Sequence, residues 1–246
     1  MFRTAGAAGA LLIVLIILFS ACTGGGIGPP PVSVFFVHGE GVPADSSGVN
    51  RWIMELGPGG YAPGAGAAAY TDPGVLGPAT SASTDVVVLG RGGTITLDLG
   101  MDVADGTGSE LAVWENGISS GELLFLELAY LEVSSDGVVF ARFPAFCERA
   151  TAADSYAPVD PSLYTGFAGL HPAGTGTAFD LAELSGEPEV LDGRVNLAAV
   201  RYVRIVDVVG DGSELDDADP PRPIYDPYPT EGTAGFDLNA VAVLAQ

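Results

Sequence analysis

Thr94-Ile95-Thr96-Leu97-Asp98-Leu99 sets Ile95, Leu97 and Leu99 on one side of an extended chain and Thr94, Thr96 and Asp98 on the other. An apolar residue at every second position is the period of a strand with one buried face, because successive side chains of a strand point to opposite sides of its sheet. Outward from this segment, short β-branched and aromatic runs bounded by Gly, Pro, Asp and Ser predict further strands at 32–37, 86–89, 111–115, 126–134, 138–143, 202–208 and 238–244. Ser135-Asp136-Gly137, between two of them, is a hairpin signal, since Asp and Gly tolerate the positive φ of tight turns. Helical pattern is confined to 179–184 and 195–199, each enough for a turn or two. These features predict an all-β chain folded as a single antiparallel β-sandwich. The stretches 39–82 and 144–193 read as long Gly/Pro/Asp-rich loops, and loops of that length in one domain carry a site or are pinned by one.

The amino terminus has its own grammar. Arg3 is followed by an unbroken apolar run from Leu11 to Phe19, then Ser20 and Ala21 before Cys22. That order predicts a signal peptide over 1–21, and the run is too short to read as a spanning helix. Leu18-Phe19-Ser20-Ala21-Cys22 is similar to a bacterial lipobox, which makes Cys22 the lipidation site and the membrane a partner through its acyl chains; Phe19 departs from the small or aliphatic residue usual there. Residues 22–31 then form a Gly/Pro tether and 32–246 the domain, placed in the cell envelope and facing the periplasm or the cell surface. With Cys22 lipidated, Cys147 has no disulfide partner and reads as a buried thiol.

The chain carries 31 acidic residues, 9 Arg and no Lys, a net charge of −22. Without a basic patch, nucleic acid is excluded as a partner. The acids gather in two places. Asp102, Asp105, Glu110 and Glu115, with Asn116, flank the turn Gly106-Thr107-Gly108. Asp207, Asp211, Asp216, Asp217, Asp219, Asp226 and Asp237 crowd 206–239. Carboxylates this dense repel one another, and an oxygen-seeking ion such as Ca²⁺, which takes six to eight oxygens, relieves that repulsion. Neither cluster has EF-hand spacing, and Zn²⁺ would want His or Cys, of which His38, His171 and Cys147 are widely separated. Asp105, Glu115, Asp207, Asp211, Asp226 and Asp237 adjoin predicted strands and are the candidate ligands of a structural Ca²⁺; the bland alternative makes them turn formers and solvent-facing charge. Tyr225 and Tyr228, held between prolines in Ile224-Tyr225-Asp226-Pro227-Tyr228-Pro229, are candidate stacking platforms for sugar rings, with core packing as the alternative. His38 and His171 read as surface or turn residues rather than catalytic bases.

Several segments together resemble a family of bacterial secreted and surface-anchored proteins known as cell surface proteins. They are Tyr70-Thr71-Asp72-Pro73, Leu89-Gly90-Arg91-Gly92-Gly93-Thr94-Ile95-Thr96-Leu97, Val113-Trp114-Glu115-Asn116-Gly117, Gly176-Thr177-Ala178-Phe179-Asp180-Leu181, Val203-Arg204-Ile205-Val206-Asp207 and Gly235-Phe236-Asp237-Leu238. The resemblance implies a jelly-roll sandwich akin to galactose-binding-like modules. Pro221-Arg222 stands where relatives more often show Gly-His, so any role of that His is missing here. The expected function is an envelope-anchored, non-catalytic, Ca²⁺-stabilised β-sandwich that binds carbohydrate or another surface component. A polysaccharide-active hydrolase using a carboxylate pair and a purely structural envelope protein are the alternatives.

Overall fold

A computed structural model describes residues 35–67, 72–82, 84–121, 123–230 and 234–246; the signal peptide expected over 1–21, Cys22 and the expected tether lie outside them. Two six-stranded, largely antiparallel sheets pack face to face. The first runs in the order Gly41–Pro43, Thr175–Phe179, Leu111–Glu115, Asp237–Leu244, Val49–Trp52, with Val87–Val88 also paired to Asp237–Leu244. The second runs Ala141–Arg142, Ala129–Ser134, Val200–Asp207, Thr94–Val103, Glu55–Ala62, with Phe167–Ala168 on the Ala129–Ser134 strand. The chain is thus the all-β sandwich that the alternation predicts. Ile95, Leu97 and Leu99 meet Leu131, Val133, Val203 and Ile205 from their own sheet, and Val113, Leu238, Val241 and Val243 from the other, in one apolar core.

Both sheets are also covered on the outside. Trp114, Ala112, Ala178, Ala240 and Ala242 face away from the main core and pack with Phe36 and Val42, so the strand Asp237–Leu244 is buried along its whole length. Behind the second sheet lies another apolar layer, in which Tyr130 and Phe167 meet Leu126, Leu128, Tyr164, Val208 and Ile224. This layer includes two small hairpins, Phe146–Cys147 with Tyr164–Thr165 and Asp211–Leu215 with Pro223–Tyr225. Cys147 is a free, buried thiol within it.

Some expectations change. The stretch 39–82 contains three strands, of which Glu55–Ala62 is an edge strand whose register shifts between Leu56 and Tyr61. Gly57, Pro58, Gly59 and Gly60 make it read as a loop, yet Pro is tolerated on an edge because its missing donor faces away from the ladder. The strand expected at 32–37 is absent over its described part, Phe35–Val37. A 3₁₀ turn at Leu181–Leu184 occupies the first expected helical segment, whereas 195–199 forms turns, and the single α-helical turn among the described residues is Pro188–Leu191.

The turn Leu89-Gly90-Arg91-Gly92-Gly93 carries the chain from the first sheet to the second. A Cβ on Gly93 would lie 1.8 Å from the Leu89 carbonyl oxygen and 2.7 Å from Gly64 N, both backbone atoms. Gly93→Ala therefore has to move main chain, and chemical denaturation is expected to show a loss of ~1–3 kcal/mol. An unchanged midpoint would contradict this packing.

Candidate metal centre

Parity along three strands decides what stands at one end of the sandwich. In Leu111-Ala112-Val113-Trp114-Glu115 the core-facing set is Leu111 and Val113, and Glu115 is next in it. Val203 and Ile205 are followed in the same way by Asp207. Leu131 and Ala129 are preceded by Glu127. Each core stripe thus ends in a carboxylate instead of an apolar side chain. Pairing then brings the ends together: Leu238 lies opposite Glu115, which sets Asp237 beside it, and Asp207 lies opposite Ala129, two residues from Glu127. Asp226 arrives from the segment after Pro223–Tyr225, its N–H donating to the Gly210 carbonyl.

All five carboxylates are at least 95% buried. An ionised carboxylate removed from water costs several kcal/mol unless a cation, a proton or hydrogen-bond donors compensate it. Their compensation differs. Asp207 is saturated by main chain: Oδ1 accepts from Phe236 N at 2.6 Å and Oδ2 from Gly92 N at 2.7 Å. Asp226 Oδ2 accepts from Leu128 N at 2.7 Å, while its Oδ1 is buried without a hydrogen-bond partner among the described residues. Glu115 Oε2 is buried without one as well. Asn116 Nδ2 donates to Asp237 Oδ2 at 3.1 Å, and Thr230 assists Glu127. Among the described residues no ion pair reaches Glu115, Glu127 or Asp226.

The protonation equilibria record this crowding. Burial, then the Asp237 charge, holds Glu115 well above the usual carboxylate range. Burial followed by Asp237, Asp226 and Glu115 does the same to Glu127. Asp226 is raised by burial and by Asp207, against the lowering effects of the Leu128 N–H and of Arg149. Burial pushes Asp207 up to about 7, opposed by its two backbone donors.

A second acidic group, Asp105, Glu110 and Asp180, lies at the other end of the Leu111–Glu115 strand, and its ligand oxygens come within 4.8 Å of one another. An acidic cluster able to hold a metal ion is therefore present. Three of its oxygens already have partners, however. Glu110 Oε1 accepts from Gly106 N and Oε2 from Leu181 N, and Asp180 Oδ1 caps the 3₁₀ turn through Ala182 N. These contacts are those of turn-fixing side chains.

Of the residues singled out by sequence, Glu115, Asp207, Asp226 and Asp237 come together, Asp105 joins the other group, and Asp211 is exposed, accepting from Ser213 N at 2.8 Å. Glu127 was not anticipated, although its parity with Ala129, Leu131 and Val133 was available in the sequence. Tyr225 and Tyr228 are both half-buried: the Tyr225 ring lies on Gly212 and its carbonyl accepts from the Tyr164 hydroxyl, and the Arg91 guanidinium sits 6.0 Å from the Tyr228 ring centre. Arg222 pairs with Asp216 at 2.8 Å. His38 Nδ1 accepts from Asp180 N, and His171 Nε2 lies 3.1 Å from the Gly39 carbonyl, so both imidazoles are engaged with backbone. No protein-family model and no curated protein matches the chain at a significant level.

Proposed function

We propose that this protein is an envelope-anchored, non-catalytic β-sandwich, stabilised by Ca²⁺, that binds carbohydrate or another cell-surface component. The observation that carries the reading is the burial of Glu115, Glu127 and Asp226 together, with no ion pair to any of them among the described residues. Carboxylates so placed favour a hard cation with oxygen ligands. The half-buried rings of Tyr225 and Tyr228, on either side of Asp226, supply apolar faces next to a rigid end of the sandwich, the composition suited to sugar rings. Backbone engagement of both imidazoles and burial of Cys147 argue against nucleophilic hydrolysis. Envelope placement rests on the leader and Cys22. No helix among the described residues is long and apolar enough to cross a membrane.

Two measurements test this reading. At Ca²⁺ a hundredfold above Kd, a ligand of the folded state adds ~2.7 kcal/mol, which moves the melting temperature of a domain this size by roughly 5–10 °C. A chelator is expected to reverse the shift, and no shift at saturating Ca²⁺ sinks the metal. On a glycan array, hits that disappear in Tyr228→Ala support carbohydrate binding; a blank array favours a purely structural envelope role.

A further inference from the structure

We infer that Glu115, Glu127, Asp226 and Asp237 are the ligands of the calcium ion, and that the ion fastens both ends of the Ile118–Phe125 hairpin to the two sheets. The inference rests on the calcium reading above and decides between the two acidic groups.

Hydrogen-bond satisfaction, rather than proximity, distinguishes the two acidic groups. Asp105, Glu110 and Asp180 stand closer together, but the Glu110 oxygens and Asp180 Oδ1 already accept backbone N–H groups. Asp105, the third member, is exposed to water, so no buried oxygen of this group calls for an ion. In the inner group, Glu115 Oε2 and Asp226 Oδ1 belong to side chains that are 2% and 3% exposed, and neither oxygen has a hydrogen-bond partner among the described residues. A buried acceptor left in that state is costly, and a cation is the partner that serves several such oxygens at once. Gly117 packs closely here, since a Cβ there would lie 2.7 Å from Glu115 Oε2 and 2.5 Å from the Leu126 side chain. An all-oxygen set of four carboxylates suits Ca²⁺, which takes six to eight oxygens at about 2.3–2.6 Å in flexible geometry, better than the compact octahedron of Mg²⁺ at about 2.0–2.1 Å.

The consequence for the hairpin follows from connectivity. Among the described residues Ile118–Ser120 pairs only with Leu123–Phe125, as a separate two-stranded sheet, and Ile118 and Leu123 are more than half exposed. Beyond its own pairing the arm is held on its second strand, where Leu124 packs against the layer behind the second sheet and accepts from Val159 N, and Phe125 meets Tyr156 at 5.5 Å. Glu115 ends the strand before the arm, in the first sheet, and Glu127 precedes the strand after it, in the second. One ion bound to both closes the arm at its base and ties the sheets together there.

The test is calorimetric titration of chelator-treated protein with CaCl₂, with MgCl₂ as control, on the wild type, Glu127→Gln, Asp226→Asn and the pair Asp105→Asn/Asp180→Asn. Saturable Ca²⁺ binding by the wild type, with at least a tenfold rise in Kd for Glu127→Gln and for Asp226→Asn and none for the Asp105/Asp180 pair, is the expected result. Each inner variant replaces a buried ionisable carboxyl by an amide of the same shape, so its calcium-free melting temperature is expected to be equal to or above that of the wild type, which verifies folding. In hydrogen exchange on the wild type, Ca²⁺ is expected to slow the amides of 116–126 at least tenfold. Unchanged affinity in the inner variants, or loss in the Asp105/Asp180 pair, overturns this ligand set and leaves the calcium reading intact. No binding by the wild type overturns both. Unchanged exchange over 116–126 on saturation overturns the fastening of the hairpin.

Discussion

In chelator at constant ionic strength, the protein is expected to lose stability continuously as the pH is raised from about 4.5 to 8. This is the reverse of the usual acid lability. Asp207 sets the size of the effect. Its folded-state pKa is raised to about 7 from an ordinary value near 4, so between those values the native state holds a proton that the unfolded chain has released. The state that binds more protons is favoured at low pH, hence the contribution is fully present below about pH 4 and is lost as pH rises through about 7. Three units at ~1.4 kcal/mol each amount to on the order of 4 kcal/mol. Glu115, Glu127 and Asp226 are raised as well, for the same dominant cause, burial, and their contributions have the same sign. On the acid side the sign changes: Asp98 and Asp216 are held below their ordinary values, their Arg201 and Arg222 hydrogen bonds being among the causes, and their contribution disappears as they protonate. Urea denaturation at half-unit pH steps checks the profile. A flat or rising stability between pH 5 and 8 in chelator would show that these carboxylates are not buried as described.

How much of this was legible in the sequence is visible at particular residues. Ile95, Leu97 and Leu99 announced a half-buried strand, and the structure places all three in the inter-sheet core. That reading needs only the two-residue period. Edge strands such as Glu55–Ala62 were illegible because Gly and Pro at 57–60 carry the composition of a turn, and only pairing with Thr94–Val103 makes them a strand. The candidate ligands split for a related reason. Adjacency to a predicted strand selected Glu115, Asp207 and Asp237, since a strand end is a fixed place. It also selected Asp105 and Asp211, because proximity in sequence does not say to which end of a sheet, or to which face, a side chain goes. Parity does say: Val203-Ile205-Asp207 and Glu127-Ala129-Leu131-Val133 are core stripes terminated by an acid, and the second would have supplied Glu127. What parity cannot provide is satisfaction. Asp207 and Glu115 have the same pattern, yet one is saturated by two backbone donors and the other keeps an oxygen without a partner.

Asp207→Ala is the substitution expected to cost most among the acids, and the reason is connectivity more than charge. The Asp207 carboxylate joins three pieces of chain: its own strand in the second sheet, the Gly-rich turn between the sheets through Gly92 N, and the lead-in to the last strand through Phe236 N. Alanine leaves both N–H groups without their acceptor in a site that is 1% exposed at Asp207, at ~1–3 kcal/mol for each donor. Relief of a buried charge offsets part of this near pH 8 and almost none at pH 5, where the carboxyl is protonated in the native state. A net loss of roughly 2–6 kcal/mol follows, a fall in melting temperature of about 5–20 °C for a domain of this length. Asp207→Asn separates the two contributions. It keeps one acceptor oxygen and turns an amide donor toward the other N–H, so it is expected to lie between wild type and alanine in stability. Lacking a titrating group, it should also flatten the decline between pH 5 and 7 that Asp207 produces in the wild type. If Asp207→Ala melts within a degree of the wild type, the Gly92 and Phe236 contacts are not what holds the turn. If Asp207→Asn retains the full pH slope, the slope originates in the neighbouring Glu115, Glu127 and Asp226 instead.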